Sequence, residues 1–475
     1  MTIYGTDYED VQYDEDGNAV VADECDNDLE GTFGGLLLAG RLVKQYGRNL
    51  RHTRELGWFG WDGRYWAPDK DGAPERAVVD IVRQGYAGLP DVPEHQRKRM
   101  YETLVRGTGG SGIRDILSIA GVLNPVTTCS ETLDADPWLV NLPTGTLDLH
   151  SGVVRDHRRE DMITKMAGAG IGERSILWEE FLARVLPDEA VRSYVQRVCG
   201  YALLGQVTEH IMPIFTGVGA NGKGTFRDAV MSAFGDYALE VDPALLMEQK
   251  HARHGTFKME LRGRRLIFCS ETERGARFSE STMKTLTGGD PIQANRMHRD
   301  PITFDPSHTL IMMTNFLPSI SGDDEAVWRR VHVVPWDVVI PPEERDGGLP
   351  ERLRLEAPGI MRWIYDGWVA YQEQGLNPPD EVRLRTEAYR NESDALGRFF
   401  TERLTRSQMA KISAPALYEA WAQWCLKAGE DAGTDREFRA ALDARGQAKK
   451  KTKTGIVYLG ITLAQEAPEQ DPLTL

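Results

Sequence analysis

The run IMPIFTGVGANGKGTF at residues 211–226 constrains this chain more than any other. An apolar stretch, Ile211 to Phe215, feeds Gly217-Val218-Gly219-Ala220-Asn221-Gly222-Lys223, and a helical pattern starts directly afterwards. G-x-x-x-x-G-K between a strand and a helix is a phosphate loop in the context it requires. The glycines let successive backbone N–H groups curl around a β-phosphate, and the helix N-terminus adds positive potential. Lys223 then reaches the β/γ oxygens. The expectation is an α/β nucleotide-binding core with ATP and Mg²⁺ as cofactors. The residue after the lysine departs from the pattern. A Ser or Thr hydroxyl usually binds Mg²⁺ there, but this chain has Gly224, then Thr225. Two arrangements stay open: Thr225 supplies the metal ligand from one position later, or water and acidic residues hold the ion.

The rest of the chain decides what kind of nucleotide protein this is. Its 475 residues allow two to four domains. No apolar run approaches the roughly 20 residues that span a bilayer. The front, MTIYGTDYEDVQYDEDGNAVVADECDNDLE, is acidic and lacks the basic start and apolar centre of a secretory signal, which points to the cytoplasm, the host's if the gene is a phage's. Residues 1–30 read as a disordered acidic tail, with too little apolar surface to offset ordering entropy. The five cysteines are far apart and form no C-x-x-C pair, so zinc and disulfide frameworks are not expected. A net charge of −16 argues against a protein that coats nucleic acid over its whole surface, but not against a local basic channel.

Along the chain, residues 31–174 read as an α+β domain. LLLAGRLVKQYG has helical spacing, and RHTRELGWFGWDGRYW reads as two short strands with Asp62-Gly63 at the turn. Trp58, Trp61 and Trp66 crowd that turn; tryptophans so placed are core of a small sheet more often than a stacking platform. Gly107 to Gly112 resembles a phosphate loop on paper, but no lysine follows and no strongly apolar strand precedes it, so it reads as a helix–helix loop. WLVNLPTGTLDLHSGVVRDHRREDMITK reads as strand–turn–strand with the turn at Ser151-Gly152. The α/β block covers residues 175–375, a linker 376–392, and a small domain 393–464, with a loose tail over 465–475. The small domain gives three helices followed by a basic hairpin, KKKTKTGIVYLGITL, which matches a winged helix with Lys449, Lys450 and Lys451 at the DNA.

Three further pieces follow the loop in order. Leu266 to Cys269 is a buried strand ending in Ser270-Glu271-Thr272-Glu273. A carboxylate at the end of a neighbouring strand orients the attacking water and holds the Mg²⁺ shell, with Glu271 the first candidate and Glu273 the second. The strand from His308 ends at Thr314-Asn315, where the Asn315 amide can meet a γ-phosphate or the lytic water. Asp323-Asp324-Glu325-Ala326-Val327-Trp328-Arg329-Arg330 then runs into another apolar strand. One of the two arginines is a candidate finger into a neighbouring subunit's site, Arg330 slightly preferred over Arg329, while the other pairs with Asp323 or Asp324.

With these pieces in order, the chain resembles the superfamily 3 helicases, most closely the phage, plasmid and poxvirus primase–helicase branch. The residues that carry the resemblance are Ser270-Glu271, Lys284 with Thr287-Gly288-Gly289-Asp290, Thr314-Asn315 with Pro318, and Trp328-Arg329-Arg330. The resemblance implies an AAA+ P-loop NTPase core with an α+β N-terminal domain and a C-terminal winged-helix domain. It implies a homo-oligomeric ring, usually a hexamer, with ATP between subunits, moving 3′ to 5′ on single-stranded and forked DNA. It also implies a pore hairpin from Ile292 to Thr303, with Arg296, His298 and Arg299 near its tip and Lys284 on the DNA side. Many relatives carry a primase polymerase domain at the front; none is expected here, so a separate primase or other replication proteins would be partners. The competing readings are an origin-binding initiator that uses ATP only for assembly, and a P-loop kinase, which leaves the arginine pair, the basic hairpin and the terminal domain unexplained.

Overall fold

The computed structural model describes residues 12–13, 19–20, 33–248, 255–270, 277–294, 301–320, 324–453 and 455–464. They group into two compact units: Met1–Ala167 with Gln293–Phe304, and Gly168–Ile292 with Asp305–Leu475. The boundary falls before residue 174 because the chain from Gly168 already belongs to the second unit. The Gly168 N–H donates to the Ala233 carbonyl at 3.0 Å and the Gly172 N–H to that of Pro358 at 3.0 Å.

In the acidic leader the described residues are a two-residue ladder, β1 (Gln12–Tyr13) antiparallel to β2 (Ala19–Val20). After it come α1 (Gly35–Tyr46), then β3 (Leu50–Thr53), β4 (Gly57–Trp61) and β5 (Trp66–Pro68), then α2 (Ala73–Ala87), α3 (Glu94–Gly107) and α4 (Gly110–Ala120). Leu38, Ala39, Leu42 and Val43 on one face of α1 pack against Val78, Ile81 and Val82 of α2, Leu104 of α3 and Ile116 of α4. That helical spacing of apolar residues is what builds the bundle. Only Thr108 and Gly109 separate α3 from α4, so the glycine-rich stretch is a short connection that continues as the first turn of a helix. Glycine is required at Gly112 for packing: a Cβ there would lie 1.8 Å from the Arg106 carbonyl oxygen.

Three strands form around the tryptophans, not two, in the order β3-β4-β5. Trp66 is fully buried, donates its indole N–H to the Arg159 carbonyl at 2.9 Å, and has the Arg51 guanidinium 4.5 Å from its ring centre. That ring belongs to the core and offers no stacking face. A second sheet joins β6 (Leu139–Leu142), β7 (Gly145–Asp148) and β8 (Val154–Arg155), with a turn at Pro143-Thr144 ahead of the one at Ser151-Gly152.

The second unit opens with α5 (Ile176–Val185) and α6 (Glu189–Tyr201), separated at Pro187, with the Asp188 carboxylate accepting from the Ala190 N–H to cap α6. It continues through β9 (Met212–Thr216), α7 (Lys223–Phe234), β10 (Ala238–Val241), β11 (Leu266–Ser270) and α8 (Glu280–Thr287); the chain then passes through the hairpin strands β12 (Ile292–Ala294) and β13 (Ile302–Phe304), which from Gln293 belong to the first unit, and the second unit resumes with β14 (Thr309–Thr314), α9 (Glu325–Trp328) and β15 (Val331–Pro335). Five of these strands form one sheet in the order β10-β11-β14-β9-β15, every pair parallel. Their unbroken apolar runs (MPIFT, LIFCS, TLIMMT) suit a sheet covered on both faces. The strand before Glu271 is therefore not the neighbour of the loop strand: β14 lies between β11 and β9.

After α10 (Leu349–Leu355) and α11 (Ala357–Gln374), the stretch expected as a linker over 376–392 is mostly helix, α12 (Asp380–Ser393). Val382 and Tyr389 share its buried face, the Val333 N–H of β15 donates to Thr386 Oγ1 at 2.9 Å, and Tyr389 meets Trp328 edge-on at 5.2 Å. The end of the chain runs α13 (Ala395–Arg403), β16 (Leu404–Ser413), α14 (Ala414–Ala428), α15 (Asp435–Ala444), β17 (Lys449–Thr452) and β18 (Gly455–Leu463), with sheet order β16-β18-β17. Phe399, Leu417, Trp421, Phe438 and Tyr458 are among its core. Sequence reading missed β16, because among its residues only Leu404 and Ile412 are buried and it bulges between Arg406 and Lys411.

Candidate nucleotide-binding site

The loop from Gly217 to Gly222 joins the end of β9 to the N-terminus of α7. Its path is fixed by close contacts with its surroundings. The Asn221 amide donates to the Trp336 carbonyl at 2.9 Å, the Ile340 N–H donates to the Ala220 carbonyl at 2.8 Å, and Ala220 itself has φ 62°. A Cβ at Gly217 would lie 2.1 Å from the Trp336 carbonyl oxygen, and one at Gly222 (φ 82°) 2.7 Å from Val185. Both positions need glycine for reasons that precede any ligand. Beneath the loop, Phe226 stacks on Trp178 at 5.6 Å and meets Trp336 and Phe215 edge-on at 5.3 and 5.8 Å. A rigid aromatic floor thus supports the first turn of α7.

Lys223 is 7% exposed, and its ammonium donates to the Gly217 carbonyl at 2.6 Å and to Asn315 Oδ1 at 3.2 Å. Parallel pairing of β9 and β14, with Thr216 opposite Thr314, brings those two side chains together from positions far apart in sequence. A buried ammonium, an amide and the N-terminus of α7 converge where a polyphosphate would sit. Gly219 and Gly224 have open space around them, and Val218 is 59% exposed. Beside the loop is a cleft of about 370 Å³, with Leu177 and Phe181 of α5, Thr225, Ile340 and Leu349 among its lining. Arg184, Glu344 and Arg352 stand around it, Arg184 paired with Glu344. Thr225 therefore faces a space large enough for a small organic group.

The expected acids Glu271 and Glu273 lie outside the described residues, as do Arg296, His298, Arg299 and Asp323. What is described is the strand end that carries the acids: Ser270 Oγ lies 3.1 Å from Arg227 Nη1, and Arg227 also pairs with Glu240 of β10 at 2.5 Å. Arg227 thus ties α7 to β10 and β11. Sequence reading missed it, because nothing local marks an arginine whose partners are on other strands.

The arginine pair splits by environment. Arg329 is exposed, whereas Arg330 is 7% exposed and its Nη1 donates to the Ala326 carbonyl. Burial lowers the Arg330 pKa, with the Arg329 charge adding to the effect. For the expected pairing of one arginine with Asp323 or Asp324, Asp323 lies outside the described residues, and among those described neither arginine bonds to Asp324. Asp324 instead binds Lys284 and caps α9 through the Ala326 N–H at 2.9 Å. Lys284, expected on the DNA side, is held by α8 with its ammonium on Asp324 at the start of α9. Lys449, Lys450 and Lys451 are all exposed on β17, with Lys449 paired to Asp443 at 2.5 Å.

Residues 39–187 match the family described as "D5 N terminal like", and residues 215–330 match one described as "Family of unknown function (DUF5906)". A candidate helicase of Acanthamoeba polyphaga mimivirus is 28% identical over 320 residues, covering 62% of this chain and 33% of that protein. A candidate helicase of Frog virus 3 is 27% identical, over 51% of this chain and 27% of the relative. A candidate primase of African swine fever virus is 23% identical, over 62% and 34%. The chain thus spans about a third of the length of the curated relatives it matches. Among solved structures, the NrS-1 C-terminal region aligns with a TM-score of 0.39 at 12% identity, over 62% of this chain and 77% of that one. The matches make the chain similar to viral proteins named as helicases and primases. Among the described residues, no helix is long and apolar enough to cross a membrane.

Proposed function

We propose that this chain is an ATP-dependent replicative DNA helicase of the superfamily 3, AAA+ type, working as a ring with ATP held between subunits. The observation that carries the reading is the meeting of Lys223 with Asn315 at the mouth of α7. In that arrangement the ammonium takes the β/γ-phosphates, and the Asn315 amide takes the γ-phosphate or the lytic water. The cleft at Phe181, Thr225, Ile340 and Leu349 suits the nucleoside half. Glu271, one residue beyond the strand end held by Arg227, would polarise water and, with Thr225 or bound waters, would hold Mg²⁺. Arg329 is the better finger because it is exposed, while Arg330 is engaged within its own chain. The order helix–strand–helix–helix–strand–strand at the C-terminal end supports a winged helix, with Lys450 and Lys451 on DNA phosphates. The names of the viral relatives agree with an enzyme of DNA replication.

The test is ATP hydrolysis and fork unwinding with and without single-stranded DNA, on a sample sized by light scattering. Hydrolysis stimulated by the strand, with displacement 3′ to 5′, is expected, and Lys223→Ala should lose on the order of 10²-fold or more in turnover while still folding. Near-normal turnover in that variant removes the reading. A sequence-specific footprint with no unwinding would favour an origin-binding initiator that uses ATP only to assemble.

A further inference from the structure

We propose that the C-terminal domain holds duplex DNA on the outer face of its sheet, through Lys411 of β16 and Lys450 of β17, and not through its third helix. The proposal rests on reading that domain as a DNA-binding module and names the surface that does the binding. In a chain with a net charge of −16, charge is sorted sharply here. Strands β16, β17 and β18 carry Arg406, Lys411, Lys449, Lys450 and Lys451 and no Asp or Glu. The third helix, α15, carries Asp435, Glu437 and Asp443 against Arg436 and Arg439. Its Arg439 is paired with Asp435 at 2.5 Å, and its Asp443 with Lys449 at 2.5 Å. A polyanion is therefore attracted to the sheet and not to the helix.

The pleat decides which of these cations face outward. Ile412 pairs with Tyr458, and both are buried, so that row faces the core. Lys411 pairs with the next residue, Leu459, and Lys450 with Val457, so these two rows share the opposite face. Lys449 pairs with Tyr458 and leans to the core side, where Asp443 holds it. Lys411 and Lys450 are exposed, and among the described residues no carboxylate pairs with either. They stand on the two edge strands with β18 between them, on the order of 10 Å apart. That spacing lets them reach separate phosphates of one backbone. The kind of nucleic acid follows from the aromatic content of the sheet. Proteins that bind single strands stack bases on aromatic rings. Tyr458 is the only aromatic residue of the three strands, and it is fully buried. Phosphate contacts alone carry no sequence information, so the surface takes duplex DNA of any sequence.

The test is binding of the full chain, without nucleotide, to two blunt duplexes of unrelated sequence across a salt series. Lys411→Gln and Lys450→Gln should each lower the salt slope by about 0.9 and weaken both duplexes alike, while Lys411→Arg and Lys450→Arg keep wild-type binding. Lys449→Gln and Arg436→Gln should leave the slope as it is. Thermal melts of the Lys411 and Lys450 variants should match wild type, because both side chains are exposed, and this separates a lost contact from a lost fold. Unchanged slopes in both of those Gln variants overturn the proposal, as does wild-type protein that binds neither duplex. A loss confined to Arg436→Gln, larger on one duplex than on the other, overturns it in favour of base reading by α15. A loss in Lys449→Gln equal to that in Lys450→Gln overturns the sorting by the pleat. The helicase reading fails separately, if the wild-type protein neither hydrolyses ATP nor unwinds a fork, whatever its affinity for duplex.

Discussion

At residue scale the glycines of the loop sort themselves by what surrounds them. Gly217 and Gly222 are enclosed by Trp336 and Val185, while an added Cβ at Gly224 meets nothing within 4 Å. The missing hydroxyl of the usual G-K-[ST] pattern is therefore not a steric necessity. Gly224→Ser should fold, keep its nucleotide, and reach half-maximal hydrolysis at lower Mg²⁺, as a titration of the metal would show. An unchanged Mg²⁺ requirement would mean that Thr225 or water already fills that coordination position. Gly222→Ala should behave in the opposite way, since left-handed backbone costs about 1–2 kcal/mol for a residue with a Cβ and the methyl group also meets Val185. At this scale the sequence was readable where a residue's role is local. Lys223 follows from its loop and Asn315 from its strand end. Arg227, and the amide of Asn221 on the Trp336 carbonyl, depend on partners that only the sheet order brings close.

At the scale of elements, the most testable joint is between α6 and β15. The Tyr194 hydroxyl lies 2.5 Å from His332 Nδ1, and burial pushes the His332 pKa down to about 4. Buried His308, at the head of β14, is held down to about 4 for the same reason. An unfolded histidine titrates near 6.5, so between these values the unfolded chain takes up protons that the folded chain refuses. The stabilisation is fully present above about pH 6.5 and is lost as pH falls toward 4. Thermal melts should show the midpoint dropping across that window, and His332→Gln should flatten part of the drop. A slope unchanged in the variant would assign the acid sensitivity elsewhere. Elements were legible where apolar periodicity was strong, as in α1, α5, β9, β11 and β14. They were missed where burial is sparse: α12 reads as a linker because few of its residues face inward, and β16 gives no strand signal because only Leu404 and Ile412 of it are buried.

At the scale of the whole molecule, the reading stands on whether one subunit completes another's site. Lys223 is buried within its own chain, whereas Arg329 projects from the surface just beyond α9. Arg329 is exposed, as an arginine that reaches a phosphate on an adjoining subunit has to be. Arg329→Ala should therefore assemble and bind ATP, yet hydrolyse it poorly, by about 10³-fold or more if it resembles other fingers. Arg330→Ala should instead lower thermal stability, since it removes a side chain packed inside the fold and bonded to the Ala326 carbonyl. Mixing the Arg329→Ala and Lys223→Ala proteins then becomes the decisive measurement. Each should be inactive alone, for different reasons, on opposite sides of the proposed interface. In a mixed ring, the interfaces that pair an intact Lys223 with an intact Arg329 should hydrolyse ATP, so activity should rise above either parent and peak near equal proportions. If mixtures stay inactive under conditions where subunits demonstrably exchange, the two residues do not meet across an interface, and the shared-site ring is the wrong assembly for this chain.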